Sequence, residues 1–148
     1  GEMTVNCTDE NAAVLYDIIR AADTRSLVRR STIPECMIHI DIKRMEQIIG
    51  NIIGNSYKYA DTPIDIACAS SGNYLKLSIT DYGEGVAADE LDLIMNKFYR
   101  GRSVKDSGID GSGLGLYIAS VLMAKMNGEL ICSSKGKGLT VTLMILLS

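Results

Sequence analysis

Asn51, Asn55 and Lys58 fall on one side of a helical pattern, and their side chains suit a hard cation and the anion such a cation carries. The amide oxygen of asparagine is a fitting ligand for a hard metal ion, and the Lys58 ammonium, about two turns beyond Asn51, adds positive charge for an anion held there. Asparagine is a poor helix former, so two of them one turn apart ask for a reason other than solvation. A polar outer face that happens to hold both is the plainer alternative. A second cluster lies at residues 81–86, DYGEGV, where a carboxylate closes an alternating stretch and Gly83 and Gly85 follow. Glycines there let a flat ligand approach the backbone, and the Asp81 carboxylate would accept a hydrogen bond from an exocyclic amine such as that of adenine. An ordinary Asp-Gly turn accounts for the same letters. The third cluster, GSGLGL at 111–116, lies where a loop enters a helix, and backbone N–H groups at a helix start cradle phosphate. Its spacing fits neither GxxxxGK[ST] nor GxGxxG, and close helix packing is the alternative use of its glycines. Between the last two clusters Lys97, Phe98, Tyr99, Arg100, Arg102 and Lys105 form a stretch that would close over a ligand as a lid, or else stay a solvated loop.

The first cluster needs one long helix. Over 41–60, Ile42, Met45, Ile48, Ile49, Ile52, Ile53 and Tyr59 share one arc at roughly 100° per residue, the apolar stripe of a helix packed on a core. Arg44, Gln47, Asn51, Asn55 and Lys58 share the opposite one. Upstream, Thr8 or Asp9 is placed to cap a first helix in which Ala12, Leu15, Tyr16, Ile19 and Ala22 recur, ending near Asp23. Residues 26–30 and 36–40 read as short extended pieces separated around Pro34. His39 lacks the acidic neighbour and the helical setting of a phosphate acceptor, and reads as a structural or surface residue. Downstream, strands over 64–69 and 74–80 with a turn at 70–73 form a hairpin that delivers Asp81 to a strand end. A short helix over 88–96, the glycine-rich stretch 101–113, and a helix over 114–126 stopped by Asn127 and Gly128 follow. Residues 130–133 and 139–147 close the chain as a hairpin through 135–138, and Met144 and Leu146 blur the alternation as in a strand covered on both faces. The economical architecture is α+β, with helices on one side of a mixed, mostly antiparallel sheet.

The chain of 148 residues makes one domain, long enough to bury roughly two thirds of its unfolded surface without a stabilising metal or disulfide. Fifteen basic residues against eighteen acidic ones, with no concentrated basic patch, argue against general nucleic-acid binding. Cys7, Cys36, Cys68 and Cys132 are far apart and form no CxxC pair, so buried thiols in a reducing cytosol are expected in place of a zinc site. Asn6, Cys7 and Thr8 match the glycosylation acceptor pattern, which recurs by chance, and nothing else suggests secretion. No apolar run approaches the length of a membrane span, and the first residues do not resemble a signal peptide.

Taken in order, these stretches are more specific than any one of them. QIIGNIIGNSYKYA (47–60), DYGEGV, NKFYRG (96–101), GSGLGL and KGKGLTVTLMI (135–145) resemble the Asn box, first Gly box, Phe box, second Gly box and terminal Gly-Thr block of one family. That family is the catalytic and ATP-binding domain of bacterial sensor histidine kinases, within the superfamily shared with gyrase, heat-shock chaperone and mismatch-repair ATPases. The resemblance covers nearly the whole chain and is firm from Asp41 to Leu147. It implies a single domain over 1–148 with the two-layer α/β sandwich of the Bergerat type, an ATP lid at 101–113, and ATP and Mg²⁺ as cofactors. Asn55 would coordinate Mg²⁺ bridging the phosphates, with Asn51 beside the γ-phosphate and Lys58 on the phosphate chain. Tyr59 would lie along the adenine, Asp81 would accept from its amino group, and Gly83 and Gly85 would make room. Arg100 and Lys97 would reach the γ-phosphate from the lid, and Gly111, Gly113, Leu114 and Gly115 would offer amides to the phosphates.

The implied activity is two-component signalling: transfer of the γ-phosphoryl group to a histidine on a separate helical dimerisation and phosphoacceptor domain, with a response regulator downstream. Asn51 stands where hydrolytic members commonly carry Glu, and an amide takes no proton at neutral pH, which favours transfer over hydrolysis. The domain would sit in the cytoplasm, touching neither nucleic acid nor membrane, while a parent anchored in the bacterial inner membrane is common in the family. Two departures stand out. No segment resembles the helical hairpin that carries the acceptor histidine, and His39 does not replace it; Leu139 also stands where the terminal block usually has Thr, and is expected to repack the strand without touching phosphates. A nucleotide-responsive interaction module without phosphotransfer and a hydrolytic ATPase of the same superfamily are the alternatives.

Overall fold

The computed structural model describes residues 3–84, 115–134 and 138–148. In chain order its elements are β1 (Thr8–Asn11), α1 (Val14–Ala22), β2 (Val28–Arg29), β3 (Met37–Ile40), α2 (Ile42–Tyr59), β4 (Ile64–Ser71), β5 (Tyr74–Thr80), α3 (Gly115–Lys125), β6 (Glu129–Ser133) and β7 (Thr140–Leu146). Five strands make one sheet in the order β2-β4-β5-β7-β6, parallel only between β2 and β4. β1 and β3 pair antiparallel beside it, and a bridge from Ile38 to Leu147 ties them to the end of β7. Alternate residues of the sheet, Ile64 and Ile66, Leu75, Leu77 and Ile79, then Val141, Leu143 and Ile145, are buried on one face. Helix α2 lies between α1 and α3, and its Met45, Ile48, Ile49, Ile52 and Ile53 complete the core. The other sheet face carries hydroxyls paired across strands, Ser78 with Thr142 at 3.1 Å and Thr80 with Thr140 at 2.9 Å. Mixed and mostly antiparallel, with helices on one side, this is the α+β architecture that the sequence patterning leads to. Among the described residues no helix is long and apolar enough to cross a membrane.

Several local expectations need correction. Thr8 and Asp9 do not cap α1; they belong to β1, where Thr8 faces Ile40 and Asp9 faces His39. The N-cap is instead Ala13, with no side-chain cap, and Asn11 Oδ1 accepts the Ala13 N–H at 2.9 Å just before the helix. His39 therefore has an acidic neighbour after all, Asp9 Oδ1 at 2.8 Å, reached across the strand pair and not along the chain. The extended piece near 26–30 shrinks to the two residues of β2. On β7 the buried outward residue is Thr142, while Met144 and Leu146 are half-buried.

The tyrosine of α2 that enters the core is Tyr57, 4% exposed, and not Tyr59, which is half-buried at the last helical residue. The Tyr57 hydroxyl donates to Asp23 and accepts the Leu27 N–H at 3.2 Å, so it fastens α2 to the connection between α1 and β2. Burial, and next the Asp23 contact, push its pKa up from 10.0 to about 12. A phenol raised in this way adds stability that is whole below the unfolded value and disappears as pH climbs through the folded one. Melting temperature should therefore fall between pH 10 and about 12, and Tyr57→Phe, less stable at neutral pH, should follow a flatter course over that interval.

Candidate functional site

Helix α2 begins cleanly because Asp41, in extended conformation, accepts the Arg44 N–H at 3.2 Å as its N-cap. From that start its polar stripe brings Asn51 and Asn55, both half-buried, to the first residue of α3. A Cβ placed on Gly115 would lie 3.1 Å from Asn55 Nδ2 and 3.8 Å from Asn51 Cβ. The Asn55 amide, with the Asn51 side chain beside it, thus lies against Gly115, the first described residue of α3. This placement answers why asparagines sit mid-helix: they line a junction of two helices and are not the solvated outer face. Lys58, one turn further, is exposed, with its ammonium 5.4 Å from the Tyr59 ring centroid.

The next residue after Asn55 turns to the other half of the site. Ser56 is 8% exposed and donates its hydroxyl to Asp81 Oδ2 at 3.0 Å. Asp81, 7% exposed at the end of β5, takes two more donors on Oδ1, the Gly83 N–H at 3.2 Å and the Leu139 N–H at 3.1 Å. Its own N–H donates to the Leu139 carbonyl at 3.0 Å, so the start of β7 brackets the residue from both sides. A carboxylate offers about four acceptor directions, and three are taken here. Among the described residues one direction on Oδ2 has no donor. Gly83 owes its identity to a close approach, since a Cβ there would stand 2.6 Å from Ala60 Cβ at the end of α2.

Of the residues singled out from sequence, Asn51, Asn55 and Gly115 come together at the helix junction, and Asp81 and Gly83 at the strand end, with Lys58 and Tyr59 on the last turn of α2. Gly85, Lys97, Arg100, Gly111, Gly113 and Leu114, with the short helix at 88–96 and the stretch 101–113, lie outside the described residues. Ser56 and the Leu139 backbone were not foreseen. Ser56 had a signal: it continues the spacing of Met45, Ile49, Ile52 and Ile53, and a hydroxyl on an apolar stripe needs a buried partner. Leu139 packs its side chain on the core, as expected of a repacked strand, but its backbone serves Asp81. Cys68 and Cys132 have thiols pushed up to about 11 by burial, which suits packing and not metal binding.

The sequence model of the histidine kinase-, DNA gyrase B-, and HSP90-like ATPases matches residues 40–148. An uncharacterized sensor-like histidine kinase of Rhizobium meliloti is 32% identical over 111 residues, 73% of this chain and 21% of that protein. The fold is shared with the mycobacterial sensor histidine kinase MprB, at a TM-score of 0.78 and 20% identity over 95% of this chain and 98% of that one. Full-length ShkA in complex with AMPPNP superposes with a TM-score of 0.73 and 23% identity, covering 100% of this chain and 32% of that one. The chain spans about a fifth of the length of the curated relatives it matches. With the family pattern running from the end of β3 through the helix junction and Asp81 to the last residue, this chain belongs to the histidine kinase-, DNA gyrase B-, and HSP90-like ATPase family.

Proposed function

We propose that the chain binds ATP with Mg²⁺ between α2 and the Asp81 strand end, and donates the γ-phosphoryl group to a histidine on a separate helical domain of a longer sensor kinase. One observation carries this reading: the Asn55 amide, with the Asn51 side chain beside it, lies against Gly115 of α3, one residue from a serine whose hydroxyl donates to the buried Asp81 carboxylate. Asp81 would accept the adenine amino group at its remaining lone pair, Gly83 and Gly85 would admit the ring, and Tyr59 would lie along it. Asn55 fits as a magnesium ligand, because its amide group lies at the helix junction and Mg²⁺ takes one or two protein oxygens alongside substrate phosphates. Bound there, the ion would neutralise charge on the phosphate oxygens. Asn51 would sit by the γ-phosphate and Lys58 on the phosphate chain. Gly111, Gly113, Leu114 and Gly115 would present amides, and Arg100 and Lys97 would add charge from the lid.

In the transfer, an imidazole nitrogen of the acceptor forms a bond to the γ-phosphorus as the bond to the bridging oxygen breaks and ADP leaves. Positioning and charge neutralisation supply most of the rate, and the residues named are of those kinds. Asn51 offers no base for water, which supports transfer over hydrolysis. The dimerisation and phosphoacceptor domain would be part of the same longer protein, a response regulator would take the phosphoryl group onward, and the chain would work in the cytoplasm beneath an inner-membrane anchor. Incubating the chain with γ-labelled ATP and a helical acceptor hairpin tests this. Label should appear on the acceptor histidine and be lost with Asn55→Ala. Steady phosphate release without an acceptor would favour a hydrolytic ATPase, and ATP binding with neither outcome would favour an interaction module.

A further inference from the structure

Side chains alternate along a strand, so the chain leaving β5 sends Asp81 toward the helices and Tyr82 toward the open face of the sheet. There the Tyr82 hydroxyl donates to Asp65 of β4. The same carboxylate takes Arg29 of β2, Nε at 2.6 Å and Nη2 at 3.1 Å, and the Arg29 guanidinium lies 5.8 Å from the centroid of the Tyr82 ring. Arg29 and Asp65 are register partners, and Asp65 also faces Thr80, so the three side chains form one patch across β2, β4 and the end of β5. The Tyr82 N–H adds a backbone tie, donating to Thr62 Oγ1 at 2.9 Å in the connection after α2. Arg29 first and Tyr82 second hold the Asp65 carboxyl below its ordinary range.

We infer that Arg29, Asp65 and Tyr82 are positioning residues for Asp81: by fastening Tyr82 outward against β4 they keep the strand end in the register that aims Asp81 inward at the purine. The inference deepens the proposed adenine contact and rests on it. Tyr82 is 47% exposed, and exposed ion pairs do little for global stability, so the effect of the cluster is local to the turn it fastens. Without it, Asp81 keeps its three donors only as long as the two residues around Tyr82 hold their place unaided.

Displacement of a fluorescent ATP analogue by ATP and by ITP tests this in the wild-type chain, Tyr82→Phe, Asp65→Asn and the double variant. ITP carries a keto oxygen in place of the amino group and offers Asp81 no donor at that position. Tyr82→Phe keeps the ring beside Arg29 and removes only the hydroxyl. ATP affinity should fall about fivefold in each single variant and little further in the double, because both changes break one unit. ITP affinity should stay within about twofold and the melting temperature within about 2 °C, since the change is local. Unchanged ATP affinity in the variants overturns the inference and leaves the adenine contact standing. Equal losses for ATP and ITP with a lower melting temperature also overturn it, by making the cluster structural. A wild-type chain that binds no ATP overturns the adenine contact and this inference together.

Discussion

Asp81→Asn should weaken ATP binding by about a hundredfold or more, because a site built around one hydrogen bond rejects a ligand that leaves its polar group mismatched. The reason lies in how its oxygens are used. Oδ1 is filled by the Gly83 and Leu139 N–H groups, so an amide at this position must keep its oxygen there and place its NH₂ where Oδ2 now stands. Ser56 can turn its hydroxyl to accept from that NH₂, which spares the fold. The amino group of adenine cannot: donor would meet donor. A keto group at the same position of the purine would be an acceptor, so the preference for ATP over ITP should narrow or reverse. Displacement titrations with both nucleotides read this directly, and an unaltered ATP affinity would remove Asp81 from the purine contact.

Gly138→Ala should cost about 3 kcal/mol of folding stability, lowering the melting temperature by roughly 10 °C. Gly138 has φ +90°, a conformation that side-chain-bearing residues rarely adopt, and a Cβ there would stand 2.2 Å from the Asp81 carbonyl oxygen. Both obstacles are backbone, so no rotamer change relieves them. The next residue is Leu139, whose N–H and carbonyl bracket Asp81, and a strand start pushed away from Gly138 loosens that bracket. Urea unfolding should therefore report the loss of stability, and nucleotide displacement a loss of ATP affinity beyond what partial unfolding explains. A variant as stable as the wild type would mean that the start of β7 shifts freely, contrary to its two contacts with Asp81.

The legible parts of the sequence were those written in local periodicity. The helix over 41–60, the 64–80 hairpin and the strand-end place of Asp81 follow from spacing alone, because burial on one face imposes a period of 3.6 or 2 on the residues that make it. The pairing of Asn51 with Asn55 was visible for the same reason. What escaped was set by partners far along the chain. Ser56 and Asp81 are 25 residues apart, and nothing local says that they touch. Thr8 and Asp9 have the chemistry of helix caps, yet pairing with β3 draws them into a strand, a tertiary choice that overrides local preference. Tyr57 and Tyr59 both fit an apolar arc, and only the arrival of Asp23 and Leu27 decides which is buried. Leu139 reads in sequence as a residue that repacks the strand, whereas its contacts with Asp81 belong to the backbone and are indifferent to the side chain.

The most direct test is a calorimetric titration of the chain with ATP, with and without Mg²⁺, alongside Asn55→Ala. Binding by the wild type that strengthens with Mg²⁺, and loses that strengthening in Asn55→Ala, is the expected result; it would make the polar stripe of α2 a metal and phosphate site. Absence of ATP binding at millimolar concentration, or a Mg²⁺ dependence untouched by Asn55→Ala, would contradict the assignment of that stripe.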